Sequence, residues 1–322
     1  MMSRRLWTTV FLAAMLAFGS EILLWPHAGG RSVIGWISTV IGYPALAGLL
    51  LALAERFRMR DLFGLMALAG VYGVLNGLLI TPDTALADIP RTWFTRMMGA
   101  HAFVGLLMLG LFLTLQYPWS RTKIIALGVI TALLGVAFGV WGRWAPELYG
   151  AGGEVERLPL QLVSMGVCLL IVLTGTVMAS RPQTYAPNSR LSVFAPALAL
   201  FGILIMRLLE GTLDSLSLVV TGTFALLAVG VLYYQKRQKG PTLLDGLNTL
   251  PADQSIYYLG MYATFLYGGG YAGYFLERGT GSGDPVYVIG VIFLAYGIVW
   301  LPAVAVVLGA RAFIRLSRQG RL

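Results

Sequence analysis

Ten apolar stretches, each long enough to cross a bilayer, recur along a chain of 322 residues with short connections between them. They fall at 6–26, 33–54, 62–80, 98–116, 122–142, 158–179, 191–211, 216–235, 256–276 and 286–310. A helix needs roughly 20 such residues to cross the hydrocarbon, where backbone N–H and C=O groups find no water and must bond one another. That constraint leaves one fold class, an all-α polytopic bundle of ten transmembrane helices. Composition agrees: 57% of residues are hydrophobic and 11% charged, with a mean hydropathy of +0.77. A water-soluble domain carries about 25% charged residues. The expectation is a single membrane domain over 1–310, with a basic amphipathic cytoplasmic tail at 311–322.

The basic residues set orientation. Alternate connections, beginning at the N-terminus, hold Arg4, Arg5, Arg56, Arg58, Arg60, Arg121, Lys123, Arg181, Arg190, Lys236, Arg237 and Lys239, and the tail adds Arg311, Arg315, Arg318 and Arg321. The opposite face holds Arg31, Arg91, Arg96, Arg143, Arg157 and Arg278; Arg207 lies within a span. The excess of Lys and Arg on the first face predicts that both termini are cytoplasmic, in a plasma or inner membrane. The net charge of +9 is therefore assigned to topology and to anionic lipid headgroups at the cytoplasmic face, and not to nucleic acid. The first span, behind Arg4 and Arg5, reads as a retained signal anchor.

Several chemistries lack their residues. There is no GxxxxGK[ST] phosphate loop, HExxH or CxxC, and Gly279–Asp284 (GTGSGD) has no strand before it and reads as a turn. One cysteine, Cys168, lies inside a span, and the histidines are His27 and His101 alone. No metal, cofactor or catalytic constellation is expected, and a non-enzymatic role is preferred.

What remains is a set of polar residues in the outer third of the spans. Glu21 sits roughly 8 Å below the outer end of its helix at 1.5 Å per residue. A carboxylate there costs on the order of 3 kcal/mol unless it meets water or a partner. It reads as a proton-coupling group, a ligand for a cationic solute, or a fastening partner for Arg207 or His101. Asn76 and His101 each lie one turn from an outer end, and histidine is the side chain that titrates near neutral pH. Arg207 and Glu210, three apart, share a helix face and are placed to pair. Tyr267, Tyr271 and Tyr274 stand at i, i+4 and i+7, beside Gly268, Gly269, Gly270 and Gly273, as one wall of a groove. Small-residue pairs at Gly73/Gly77, Gly135/Gly139 and Gly269/Gly273 predict close helix crossings.

The reading that joins these residues is a small secondary transporter or permease for an unknown small solute, with an outward-facing polar cavity. Ten helices, cytoplasmic termini and this length are similar to the gross plan of drug/metabolite-type transporters, a likeness of size and topology alone. Outer loops of about sixteen residues are long for that plan. Spans one to three and seven to nine share a loose plan, a first helix with an outer-half glutamate (Glu21, Glu210) and then a basic inner hairpin; the alternative is two five-helix halves, which would be inverted repeats, as in several transporter folds. The alternatives are an intramembrane enzyme acting on lipid-linked or acyl substrates at the outer face, with Glu21 or His101 as base, and a non-catalytic subunit of an oligomer or membrane complex.

Overall fold

The computed structural model describes residues 4–24, 32–116, 120–148, 191–236, 241–245 and 284–318, with shorter stretches at 166–167, 170–171, 173–175, 247 and 268–276. Among the described residues every regular element is helical and there is no strand. Helix α1 is Arg4–Ala17, running on as a π-helical segment, Phe18–Leu24. Then come α2 (Val33–Arg56), α3 (Leu62–Leu79) and the short α4 (Pro82–Ala85). A second π-helical segment, Trp93–His101, continues into α5 (Ala102–Gln116), followed by α6 (Arg121–Leu148), α7 (Leu191–Leu209), α8 (Ser215–Lys236), the short α9 (Tyr271–Tyr274) and α10 (Pro285–Arg318).

Seven of these helices are long and apolar enough to cross a membrane, and α7 adds a shorter apolar one. These are the helices of a multi-pass membrane protein, and among the described residues the chain is all-helical. The expected spans at 158–179 and 256–276 lie mostly outside the described residues. The residues expected as a basic tail from 311 onward begin within α10, which continues unbroken through Pro302 to Arg318. At 34 residues α10 is about 50 Å long, so it outruns a hydrocarbon core of about 30 Å and carries its basic end clear of it.

Helix starts are written in capping side chains. Ser32 accepts from the Gly35 amide at 3.0 Å, Asp61 from Gly64 at 3.0 Å, and Asp214 from Ser217 at 2.7 Å. Each supplies an acceptor to an amide that the first turn leaves unbonded. Asp284, the last residue of the glycine-rich run, does the same for Val286 at 2.9 Å.

The chain divides into two compact units, each assembled from separated stretches: Met1–Arg31, Phe112–Thr184 and Asn248–Ile292 in the first, Ser32–Leu111, Tyr185–Leu247 and Phe293–Leu322 in the second. In the first unit α6 packs against α9 and against the π-helical Phe18–Leu24. The expected glycine pairs mesh here. A Cβ on Gly269 would lie 2.8 Å from the Gly135 Cα, and one on Gly139 would stand 2.9 Å from the Tyr274 nitrogen. Trp141 is buried at this crossing and donates its indole N–H to the Leu24 carbonyl at 2.9 Å.

In the second unit α3 is central, touched by α2, α7, α8, α4 and the π-helical Trp93–His101. It is apolar on every side, as a helix enclosed by others must be. Without a hydrophobic drive in lipid, close backbone approach is what binds these helices. A Cβ on Gly73 would overlap the Met97 carbonyl and sit 2.6 Å from the Ala102 nitrogen. Two close approaches have no Gly-x-x-x-Gly signature: Gly70 receives the Trp300 ring, and Gly99 and Gly297 bring the π-helical segment against α10. In the ten-span count, α2 and α3 are the second and third spans, and they pack on α7 and α8, the seventh and eighth.

Candidate functional site

The second unit buries a chain of polar side chains. Asn76, on the last turn of α3, donates its amide to the Tyr43 hydroxyl of α2 at 2.9 Å and to the Tyr72 hydroxyl one turn back at 3.3 Å. Its amide oxygen accepts from the Thr81 hydroxyl at 3.2 Å, and the same Thr81 oxygen lies 3.3 Å from His101 Nε2. Asn76, Tyr72 and His101 are 0% exposed. Buried polar groups of this kind are costly unless each finds a partner, and a fully satisfied set fixes one packing.

The local sequence explains the arrangement. Tyr72 and Asn76 are four apart and share a face of α3. The helix stops one turn beyond Asn76, whose backbone carbonyl takes both the Ile80 and the Thr81 amides. That turn folds Thr81 back over its own asparagine. His101 is the last residue of the π-helical segment, and π-helical turns inside α-helices gather at functional sites.

Proton counting fixes a tautomer. Both amide protons of Asn76 go to phenol oxygens, so its oxygen is the acceptor for Thr81. Threonine has one hydroxyl proton, and it is spent there. The contact between Thr81 and His101 therefore runs the other way: Nε2–H donates to the Thr81 oxygen. His101 is then the Nε2-protonated tautomer.

Arg207 is 2% exposed. Its Nε donates to the Leu79 carbonyl and Nη2 to the Ile80 carbonyl, each at 3.0 Å, while Nη1 meets Glu210 Oε2 at 2.9 Å. The last carbonyls of a helix have no partner of their own and carry the negative end of its dipole. Arg207 supplies both donors and charge to the end of α3 from α7. The pairing with Glu210 is as expected, whereas the two carbonyls were not legible from the sequence.

Glu21 belongs to the first unit. It is 7% exposed, within the π-helical Phe18–Leu24 and among buried Gly19, Ser20 and Leu24. Tyr271 and Tyr274 belong there too, and they are 66% and 38% exposed. Gly269 and Gly273 occupy the crossing with α6, so the tyrosines turn away from it. Tyr271 lies tilted and Tyr274 edge-on to the Phe275 ring, and the Arg143 guanidinium lies over the rings of Trp144 and Tyr274. This is the composition of an interfacial aromatic belt. Tyr267 lies outside the described residues.

Among the described residues no three His, Cys, Asp or Glu side chains converge as a metal site would require. Within the second unit, the Asn76 network, His101 and the Arg207–Glu210 pair offer hydrogen-bonding and ionisable groups inside apolar helices, a set suited to holding a solute or moving a proton. Comparison with protein-family models, with curated proteins and with solved structures finds no match to this chain.

Proposed function

We propose that this protein is a small secondary transporter of the cell membrane, with both termini cytoplasmic and an outward-facing polar cavity that takes a small solute; Glu21, in the first unit, and His101, in the second, are each a candidate for handling a coupling proton. One observation carries the reading. Glu21 and His101 are each buried, and each lies in a π-helical turn of an otherwise apolar span. Ionisable groups at such depth are functional by default, because an apolar residue would be cheaper there. The packing of α2 on α7 and α3 on α8 supports it, since counterparts five spans apart are what two inverted halves bring together. Asn76, Tyr43 and Tyr72 serve as the polar lining next to His101; Arg207 and Glu210 hold the end of α3 in place.

The first test is thermal stability of wild type and Glu21→Gln in nanodiscs between about pH 5 and 9, the range in which a coupling group must titrate. A variant at least as stable as wild type, with the pH dependence abolished, marks a carboxyl retained at a stability cost for its proton. A clearly less stable variant makes Glu21 a structural partner and removes it from the site. Proton-driven uptake in proteoliposomes follows, lost in Glu21→Gln and His101→Gln; turnover with no gradient would favour an enzyme instead. Orientation is read in a Cys168→Ala background by an impermeant thiol reagent, which should label Thr84→Cys from outside and Thr242→Cys only after permeabilisation.

A further inference from the structure

Arg207 has more donors than its clamp on α3 consumes. A guanidinium carries five N–H groups in a planar fork. Its side-on pair, Nε and Nη2, is committed to the Leu79 and Ile80 carbonyls, each at 3.0 Å. The end-on pair is made by Nη1 and the second N–H of Nη2. Only Nη1 is engaged there, by one oxygen of Glu210 at 2.9 Å. Among the described residues Arg207 bonds its side chain to these three acceptors alone. With the Arg207 side chain 3% exposed, the end-on fork is thus a buried, half-filled acceptor site of fixed geometry.

The charge is balanced just as loosely. The carbonyl end of α3 offsets about half a unit charge, and the rest falls on Glu210, which is badly placed to carry it. Glu210 lies one residue past the end of α7, where the helix dipole disfavours a carboxylate. It binds through a single oxygen, and its side chain is 19% exposed. The chain then turns at Gly211, with φ +71°, and a Cβ there would meet nothing within 4 Å. The carboxylate has open space beside it, whereas the guanidinium is enclosed.

We infer that the end-on fork of Arg207 is a subsite for a carboxylate group of the solute, and that Glu210 is the internal carboxylate which the solute displaces. Two parallel N–H groups match the two oxygens of a carboxylate. The group that already fills half of the fork is itself a carboxylate, so charge and shape both suit that ligand. The solute class is then a small carboxylic acid anion. The subsite deepens the transport reading and rests on it only in calling the ligand a solute.

The test is the melting temperature of the full chain in nanodiscs as acetate replaces chloride at fixed ionic strength. Acetate at about 10–100 times its Kd should raise the wild-type value by about 3–8 °C. Glu210→Gln, which removes the competing charge, should reach the same rise at about tenfold lower acetate. That gain does not depend on a fragile variant. Arg207→Lys, which keeps the charge and loses the fork, should show no rise, and Arg143→Gln, in the other unit, should behave as wild type. Equal midpoints in wild type and Glu210→Gln, a rise of one size in all four proteins, or no rise in any of them overturns the subsite. Uptake of labelled acetate into proteoliposomes separates the two readings. Acetate binding that depends on Arg207, without proton-driven uptake, keeps the subsite and removes the transport reading; proton-driven uptake of another solute, with no acetate response, does the reverse.

Discussion

Asn76→Ala is the perturbation that most directly asks whether the buried polar chain is one network. The substitution removes two donated bonds, to Tyr43 and Tyr72, and one accepted bond, from Thr81. At about 1 kcal/mol for each net hydrogen bond, the loss is about 3 kcal/mol. Thr81→Val keeps the shape and removes two bonds, to Asn76 and His101, for about 2 kcal/mol. The Asn76–Thr81 bond is counted in both single variants but can be lost only once. The double variant should therefore cost about 4 kcal/mol, short of the simple sum by about 1 kcal/mol of coupling. Reversible unfolding in mixed micelles with increasing denaturing detergent, followed by far-UV circular dichroism, gives all four free energies on one scale. Additivity within about 0.5 kcal/mol would refute the shared bond, and an Asn76→Ala cost below about 1 kcal/mol would refute the network.

Gly73→Ala should destabilise by about 1–3 kcal/mol, because its Cβ meets the Met97 carbonyl and the Ala102 backbone. Gly110→Ala, with nothing within 4 Å, should be neutral or stabilise by up to about 1 kcal/mol; equal effects of the two in the same unfolding assay would contradict the packing. With only two histidines in the chain, nitrogen NMR of histidine-labelled protein should find His101 as the Nε2-protonated tautomer at neutral pH. The Nδ1-protonated form would mean that Thr81 donates to the ring and that the Asn76 amide is turned over. At the start of α8, the Ser217 hydroxyl and amide hold the Asp214 carboxyl below the ordinary carboxylate range. A folded value depressed in this way contributes stability that is complete above the unfolded value of 3.8 and is lost as pH falls through the folded one. Amide exchange at 215–218 should accelerate over that acid window in wild type and show no such step in Asp214→Asn.

Helix identity was legible because lipid imposes a length and an all-round apolarity that few other folds imitate. The close crossings were legible only where both partners announce themselves. Gly135/Gly139 and Gly269/Gly273 each carry the four-residue spacing, and they pack on one another. Gly99 and Gly297 meet as single glycines from distant helices, and nothing within either helix marks them. The continuity of α10 was not legible for a related reason: Arg311 pairs with Asp61, 250 residues away in sequence, and nothing within either stretch marks the pair.

Arg207 shows most plainly why residue types alone under-determine a membrane site. An arginine within an apolar span invites a search for an anionic side chain, and Glu210 is indeed there at 2.9 Å. Two of its three partners, however, are main-chain carbonyls of Leu79 and Ile80, and every residue in the chain has a carbonyl. Their availability depends on α3 stopping where it does, which depends on Asn76 capturing the Ile80 and Thr81 amides. The end of α3 is therefore the element shared by the Asn76 network and the Arg207 clamp. A change at either should be felt at the other through the position of residues 79–81, although no side chain of the clamp bonds to a side chain of the network among the bonds described. It follows that Arg207→Met, which strands two buried carbonyls and leaves a part-buried carboxylate without its partner, should cost about 2–4 kcal/mol and also disturb the His101 ring signal. Loss of stability with an unchanged His101 signal would show that the clamp holds α7 alone and that the network's geometry has a different support.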